Sequence, residues 1–92
     1  MDRLSLKRLK RSLHALIRMR ERKISIDQVE EVIKNPEEVI NVKHGRRASY
    51  RRYGDKFIVA IYEESNGEVK VITVLKVDER RLMRYGFSRI RS

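Results

Sequence analysis

The amino-acid sequence predicts an α+β domain in which two N-terminal helices pack on a four-stranded antiparallel sheet, followed by a short C-terminal helix or tail. Helical periodicity and capping residues dominate residues 4–34, whereas alternating apolar residues and turn signals dominate residues 37–76. Helices followed by strands are typical of helices that cover one face of an antiparallel sheet. The length suffices for one modest core, so residues 1–92 are expected to form a single domain.

Residues 4–22 have the periodicity of an amphipathic helix. The side predicted to face the sheet consists of Leu6, Leu9, Leu13, Leu16 and Ile17. The opposite side carries a cationic row formed by Lys7, Arg11, His14, Arg18 and Arg22. Arg20 breaks the pattern because it falls on the apolar side. Ser12 is a second possible N-cap, so the helix begins either near residue 5 or after Ser12, with an irregular or strand-like arm before it.

A second helix is predicted from a capping box, with Ser25 as the N-cap and Gln28 at the third helical position. It should run to about Lys34, because Asn35 precedes Pro36 and is therefore pushed out of the helical region. Its inward-facing residues are predicted to be Ile26, Val29, Val32 and Ile33.

Two strands are predicted before the central hairpin. The first covers residues 37–42, with Val39, or Val39 and Val42, buried. After a turn at His44 and Gly45, residues 48–53 form the second strand. Ala48, Tyr50 and Arg52 should lie on one face of this strand, and Ser49, Arg51 and Tyr53 on the other.

Residues 57–76 contain the densest apolar and β-branched run, divided at Ser65, Asn66 and Gly67 by a hairpin signal. The first strand should point Phe57, Val59 and Ile61 to one side and Ile58, Ala60 and Tyr62 to the other. The return strand should alternate in the same way, with Val69, Val71, Thr73 and Leu75 opposite Lys70, Ile72, Val74 and Lys76. Apolar residues on both faces indicate inner strands. Residues 78–84 suggest a short helix or turn.

The net charge of +10 is unevenly distributed along the chain. Residues 1–23, 43–56 and 76–92 carry net charges of +7, +5 and +4, while residues 24–42 and 57–75 carry −4 and −2. Separate basic blocks that converge in the fold would form a binding site for a polyanion.

The composition excludes several classes of function. The chain has no cysteine, which excludes disulfides and thiol catalysis and favours a reducing compartment. No apolar run approaches the roughly 20 residues that cross a bilayer, and no signal-peptide pattern opens the chain, so we expect a cytoplasmic protein without a membrane partner. The high charge and low glycine content are typical of thermophiles. Neither His14 nor His44 has a carboxylate at metal-ligand spacing, so neither a metal site nor a cofactor is predicted.

The first candidate site is the helical row His14, Arg18 and Arg22, which stand at i, i+4 and i+8. Two guanidinium groups suit a phosphate, and an imidazole beside them can move protons near neutral pH. The alternative is a helix face that is charged only for solubility.

The second candidate is the basic and aromatic segment Arg46, Arg47, Tyr50, Arg51, Arg52 and Tyr53. Such a pattern suits nucleic acid, because rings stack on bases and cations bind phosphates. The alternative is an edge strand protected from aggregation by its charge.

The C-terminal segment Arg84, Tyr85 and Phe87 is the third candidate. Tyr85 would donate a proton or stack on a base, or else Tyr85 and Phe87 only anchor the C-terminus on the core. Thr73 either lines a cleft or is an ordinary strand residue.

Residues 14–25 resemble the "HAxxRMxxRxIS" opening of a widespread group of small prokaryotic proteins. Members of that group often share Asn35 and Pro36 at the end of the second helix, Gly45 and Arg46 after the turn, and a "VITV" strand like residues 71–74. The resemblance covers roughly residues 13–76. The group looks like a branch of the RelE/ParE toxin-like superfamily, which is placed with metal-independent ribonucleases of the barnase and colicin type.

The resemblance implies a RelE-like fold with RNA lying across the open face of the sheet. The positions that match are His14, Arg18, Arg22, Arg46 and Thr73. One departure is that RelE-like toxins usually begin with a strand, whereas residues 4–12 favour a helix. ParE-type relatives act on gyrase, so the superfamily alone does not define the activity.

The resulting hypothesis is a toxin-like, metal-independent endoribonuclease of the mRNA interferase type, from a toxin–antitoxin system. Its catalytic residues would be His14, Arg18, Arg22 and Tyr85, with Arg51 also stabilising charge on the phosphate. Its nucleic-acid-binding residues would be Lys7, Arg11, Arg46, Arg47, Tyr50, Arg51, Arg52, Thr73 and Arg84. The expected partners are RNA, free or ribosome-bound, and an acidic antitoxin-like protein. The alternatives are a non-catalytic nucleic-acid-binding module and a ParE-like toxin that acts on a protein target.

Overall fold

A computed structural model describes residues 8–87 of the chain. The strands are β1 (Arg8–Arg11), β2 (Glu38–Val42), β3 (Arg46–Tyr53), β4 (Lys56–Ser65) and β5 (Glu68–Val77). The helices are α1 (Leu13–Arg22), α2 (Ile26–Lys34) and α3 (Glu79–Met83), and a 3-10 turn spans Lys43–Gly45. The five strands form one sheet in the order β1-β5-β4-β3-β2, in which β1 runs parallel to β5 and all other pairs are antiparallel.

The predicted four-stranded antiparallel sheet preceded by two helices is wrong, because the described chain begins with a strand that pairs parallel to β5. The helix begins only after Ser12, which is one of the two alternatives derived from the sequence. The Ser12 N–H donates to the Val71 carbonyl, and its hydroxyl donates to the Ile72 carbonyl at 2.8 Å and accepts from the Ala15 N–H at 3.0 Å. Backbone pairing with β5 therefore overrides the helical periodicity of residues 8–11. Leu6 and Lys7 lie outside the described residues.

The α1 N-cap offers a direct test of this junction. Ser12→Ala is expected to lower the free energy of unfolding by about 1–2 kcal/mol, because it removes both the helix cap and the bond to Ile72. Ser25→Ala is the matched control, since the α2 cap is exposed and Gln28 still accepts from the Ser25 N–H. Urea denaturation measures both changes, and equal losses would contradict the double role of Ser12.

Helix α1 is rotated relative to the prediction. Ala15 and Met19 are its buried residues, whereas the side chains of Leu13, Leu16 and Ile17 are 74%, 43% and 47% exposed. We name these three exposed residues the α1 ridge. The Ser12 bonds fix the rotation of the helix, and the small Ala15 side chain then faces the sheet. The helical part of the side predicted to face the sheet therefore points to solvent, whereas Leu9 of β1 packs against the core.

Helix α2 confirms the sequence analysis closely. Ser25 and Gln28 form both bonds of the capping box, each 3.1 Å long. Val29, Val32 and Ile33 are buried, as predicted. This helix agrees with its sequence signals because they act within a few residues of one another.

The sheet carries apolar clusters on both faces, as predicted for inner strands β4 and β5. On the helix-pair face, α1 packs on β5 and α2 packs on β3 and β4, in one cluster with Ile58, Ala60 and Tyr62. On the α3 face, Leu82 and Phe87 cover the side that bears Phe57, Val59 and Ile61. Because both faces are covered in the described part of the chain, the open sheet face that the resemblance implied for RNA is not found there.

The central hairpin confirms its predicted turn. Asn66 and Gly67 both adopt positive φ, 50° and 76°, as a tight two-residue connection requires. The predicted alternation along β5 is wrong, because a bulge interrupts the pairing: Tyr62 pairs with Val71, but Ile61 pairs with Thr73. Ile72 is thus the extra residue. Its carbonyl, the one bonded by Ser12, lies at the point where the strand changes phase.

The predicted burial of Val39 on the edge strand β2 is wrong, but that of Val42, the second residue considered, agrees with the structure. Val39 is exposed, whereas Ile40 and Val42 pack against the cluster on the α3 face. Strand β3 lies between β2 and β4, so it is an inner strand and not the charge-protected edge considered as an alternative. The short helix predicted after β5 is present as α3.

Candidate nucleic-acid interface

The sheet separates the residues that were predicted from the sequence to form one catalytic site. His14, Arg18 and Arg22 belong to α1, on the helix-pair face. Tyr85 packs against the cluster on the α3 face, so the sheet stands between it and α1. The single cradle expected from His14, Arg18, Arg22 and Tyr85 is therefore not formed. Sequence spacing could not show that Tyr85 and α1 lie on opposite faces, because the position of Tyr85 depends on how β5 and α3 run in the fold.

Strand β3 divides its own candidates between the two faces. Arg47 and Arg51 lie opposite Tyr62 and Ile58, on the helix-pair face. Arg46, Tyr50 and Arg52 alternate with them and therefore lie on the α3 face. Thr73 of β5, another candidate, pairs with Ile61 and therefore lies on the α3 face as well.

Carboxylates of the β4–β5 hairpin engage two of the β3 cations. Arg46 Nε lies 3.0 Å from Glu63 Oε2, and Arg47 Nη1 lies 2.7 Å from Glu64 Oε1. Lys10 of β1 similarly lies 3.4 Å from Glu68. The acidic block of the hairpin thus partly neutralises the basic strand beside it.

The other two β3 cations are also engaged within the chain. Arg51 donates from Nη1 to the Asn35 carbonyl at 2.6 Å, and its Nε lies 4.0 Å from Glu31. Arg52 donates to the Gly54 carbonyl at 3.0 Å, and its guanidinium lies 5.4 Å from the centre of the Phe57 ring. The basic block of β3 therefore holds strands and α2 together, which makes it a poor phosphate site.

The tyrosines of the candidate segments are similarly occupied. Tyr50 is buried, with edge-on contacts to Phe57 at 5.8 Å and Phe87 at 4.6 Å between ring centres, so it is not accessible to a base. Tyr53 donates to Glu31 Oε1 at 2.5 Å. Burial, reinforced by this hydrogen bond, raises the pKa of Tyr53 to about 12. Tyr85 is half-buried, with its ring centre 6.5 Å from that of Phe87, as expected for a residue that anchors the C-terminal segment.

The row on α1 remains open to solvent. His14 and Arg22 are exposed, and Arg18 is half-buried with Nη1 3.6 Å from Glu21. Arg11 is exposed on β1, beside the start of the helix. At the other end, Lys76 Nζ lies 3.4 Å from the Arg22 carbonyl, which brings a cation from β5 to the row. These five residues define the α1 cationic surface: Arg11, His14, Arg18, Arg22 and Lys76.

Residues 12–82 match the family described as "Domain of unknown function (DUF4258)". The chain belongs to the DUF4258 family. The match begins at Ser12, the residue that joins α1 to β5, and ends at Leu82, the buried residue of α3. No curated protein and no solved structure matches the chain.

Most of the α1 cationic surface falls within the matched part of the DUF4258 protein, from His14 to Lys76, and only Arg11 precedes it. Lys76 is the member that the sequence analysis missed. A lysine within an apolar strand is a sign of an exposed position, and this lysine lies on the same face of the sheet as α1. The sequence could not assign it to that face, because the bulge in β5 changes the alternation of the strand.

A second group of cations on the DUF4258 protein lies beyond the other face of the sheet. Arg80, Arg81 and Arg84 are exposed on and after α3. Asp78 is the N-cap of this helix, and its carboxylate accepts a hydrogen bond from the Arg81 N–H. This hydrogen bond lowers the pKa of the Asp78 carboxyl. Arg84 was predicted to bind nucleic acid together with residues of α1, but the sheet lies between Arg84 and α1.

Residues 8–87 of the DUF4258 protein lack two features that would indicate other functions. No three His, Asp or Glu side chains in this part of the chain lie close enough together to hold a metal ion. None of its helices has the length and apolar character needed to cross a bilayer.

Proposed function

We propose that this DUF4258 protein binds RNA through the α1 cationic surface. The observation that carries the proposal is the contrast between two basic segments. Each β3 arginine is engaged by a carboxylate, a carbonyl or a ring of its own chain, whereas the α1 row faces solvent and only Arg18 has an ion-pair partner within residues 8–87. Exposed guanidinium groups at helical spacing suit successive phosphate oxygens.

The surface suits the backbone of RNA better than its bases. Helix α1 carries no Phe, Tyr or Trp, Tyr50 is buried, and Tyr53 donates a hydrogen bond to Glu31. Base stacking normally supplies much of the recognition of single strands. We therefore expect binding with little sequence preference and a strong dependence on salt.

A second candidate function is metal-independent RNA cleavage by a toxin of the RelE type. Strand β1 favours it, because RelE-like toxins usually begin with a strand and the sequence had predicted a helix there. The imidazole of His14 is exposed one helical turn from Arg18, so it would act as a base beside a phosphate-binding guanidinium. This candidate places the protein in the cytoplasm, with message RNA as substrate and an acidic antitoxin-like protein as partner.

In this reaction His14 would accept the proton of a ribose 2′-OH as its oxygen bonds to the adjacent phosphorus. The bond from phosphorus to the 5′-oxygen breaks, the leaving oxygen takes a proton from solvent water, and a 2′,3′-cyclic phosphate remains. Arg18 and Arg22 would stabilise the negative charge that develops on the phosphoryl oxygens. Tyr85 and Arg51 are given no part, because one lies beyond the sheet and the other contacts Asn35 and Glu31.

The first test measures binding of a labelled 20-nucleotide single-stranded RNA of mixed sequence, in EDTA, at 50 and 200 mM salt. Four phosphate contacts, one for each Lys or Arg of the α1 cationic surface, predict a slope of about −2.8 in log affinity against log salt on a single strand, or roughly a 50-fold loss over this range. A flat response, or no binding at the lower salt concentration, would refute the proposal.

The same samples distinguish binding from cleavage. His14→Ala is expected to abolish formation of the cyclic phosphate, while His44→Asn retains it. Asparagine is the appropriate control substitution because His44 has a positive φ of 66°, which asparagine tolerates. Intact RNA after prolonged incubation with a wild-type protein that binds it would eliminate the second candidate and leave the first.

A further inference from the structure

The α1 ridge is an apolar surface without a partner in the described chain. It contains three of the five large hydrophobic residues that are exposed within residues 8–87, all on one ten-residue helix. Single exposed apolar residues are ordinary, but a contiguous group of them marks an interaction surface. RNA binding at the neighbouring cations does not use these side chains.

The spacing of the ridge indicates what covers it. Leu13, Leu16 and Ile17 stand at i, i+3 and i+4, and Arg20 follows at i+7. This is the spacing with which one helix packs along another. Arg20 therefore continues the row formed by the α1 ridge. A helix that packs along this row must pair Arg20 with a carboxylate or leave its guanidinium exposed to solvent.

We infer that the α1 ridge docks an acidic amphipathic helix of another protein. Apolar residues of that helix would cover Leu13, Leu16 and Ile17, and a carboxylate would meet Arg20. Charge complementarity supports this occupant: residues 8–23 contain seven Lys and Arg residues and one carboxylate, Glu21. That carboxylate already lies 3.6 Å from Arg18. An acidic helix is attracted to such a surface and a basic one is repelled.

A second copy of this chain fits the ridge less well. Two parallel α1 helices would place Arg20 against Arg20, and two antiparallel helices would place Arg20 against Leu13. Neither arrangement provides the guanidinium with a carboxylate, and burying an unpaired charge is costly. RNA is also a poor occupant, because aliphatic side chains offer no ring on which a base can stack.

The size of the ridge sets the expected strength of the contact. Ten residues of helix form an interface below the roughly 1,200 Å² of stable complexes, so the ridge alone should bind in the micromolar range. A larger partner could add contacts elsewhere without changing the role of the ridge.

The experiment uses the full chain and two synthetic helical peptides of three heptads. Both have leucine at the a and d positions; one carries glutamate and the other lysine at the remaining charged positions. We expect the acidic peptide to bind with a micromolar Kd and the basic peptide at least tenfold more weakly. Equal affinity for the two peptides, or no binding of the acidic one, would overturn the inference.

Variants locate the contact on the protein. Leu13→Asp and Ile17→Asp are each expected to weaken binding of the acidic peptide at least tenfold. An acid at the first helical position interacts favourably with the helix dipole, so Leu13→Asp should not unfold α1. Met83→Asp is the matched control, because Met83 is similarly exposed on α3 and the substitution changes the charge equally.

Two other results would show that the α1 ridge does not dock an acidic helix. Peptide binding that survives Leu13→Asp and Ile17→Asp, or that falls equally in Met83→Asp, would place the contact elsewhere and refute the inference. A wild-type dimer in sedimentation analysis that dissociates in Ile17→Asp would assign the ridge to a second copy and refute it as well.

Discussion

Leu82→Ala is expected to lower the free energy of unfolding by about 2–5 kcal/mol. Leu82 is fully buried and belongs to the cluster that seals the α3 face of the sheet. Alanine would remove its apolar contacts and leave a cavity between α3 and strands β4 and β5. Because small domains are stable by only about 5–15 kcal/mol, this single change could remove a third of the total.

Urea denaturation measures the effect as a lower midpoint with an unchanged slope. The matched control is Met83→Ala, since Met83 is the next residue and its side chain is half exposed. We expect the control to lose less than about 1 kcal/mol. Similar small losses in both variants would mean that α3 does not seal the sheet, and would reopen the α3 face as a site for RNA.

Arg18→Ala combined with Arg22→Ala is expected to reduce RNA affinity by roughly 10- to 100-fold at 50 mM salt. A fully available guanidinium that contacts a phosphate contributes about 1.5 kcal/mol, which is close to a factor of ten in affinity, and a partly neutralised one contributes less. Arg18 should contribute less than Arg22, because part of its charge is offset by Glu21. The slope of log affinity against log salt should become shallower by about 1.4, since two phosphate contacts are lost.

Arg80→Ala combined with Arg81→Ala is the control for net charge. It removes the same two charges from α3, on the other side of the sheet. We expect a less than threefold loss of affinity and an unchanged salt slope. Equal losses in the two double variants would indicate that RNA responds to the net charge of the whole protein and not to α1.

Features governed by neighbours in sequence were predicted correctly. The α2 cap needs only Ser25 and Gln28, and the hairpin needs only the positive φ that Asn66 and Gly67 tolerate. The opposite faces of β4 likewise follow from strict alternation. For the candidate site, helical spacing grouped His14, Arg18 and Arg22 on α1, and His14 and Arg22 are exposed.

Contacts between distant residues decided the rest. Residues 8–11 have an apolar and basic pattern that suits a helix, but pairing with β5 makes them a strand. Ser12 then fixes the rotation of α1, which exposes Leu13 and buries Ala15. The same principle applies to charge: Arg46 and Arg47 look available in the sequence, but Glu63 and Glu64 meet them across adjacent strands.

The sequence by itself determined α2, the turn of the central hairpin, the two-sided apolar character of its strands and the helical spacing of His14, Arg18 and Arg22, because each depends on residues that are close along the chain. Only the tertiary structure decided the N-terminal strand, the rotation of α1 and the distribution of the candidate residues over two faces. The physical reason is that a strand acquires its neighbours, and a cation its carboxylate, from segments up to 60 residues away along the chain.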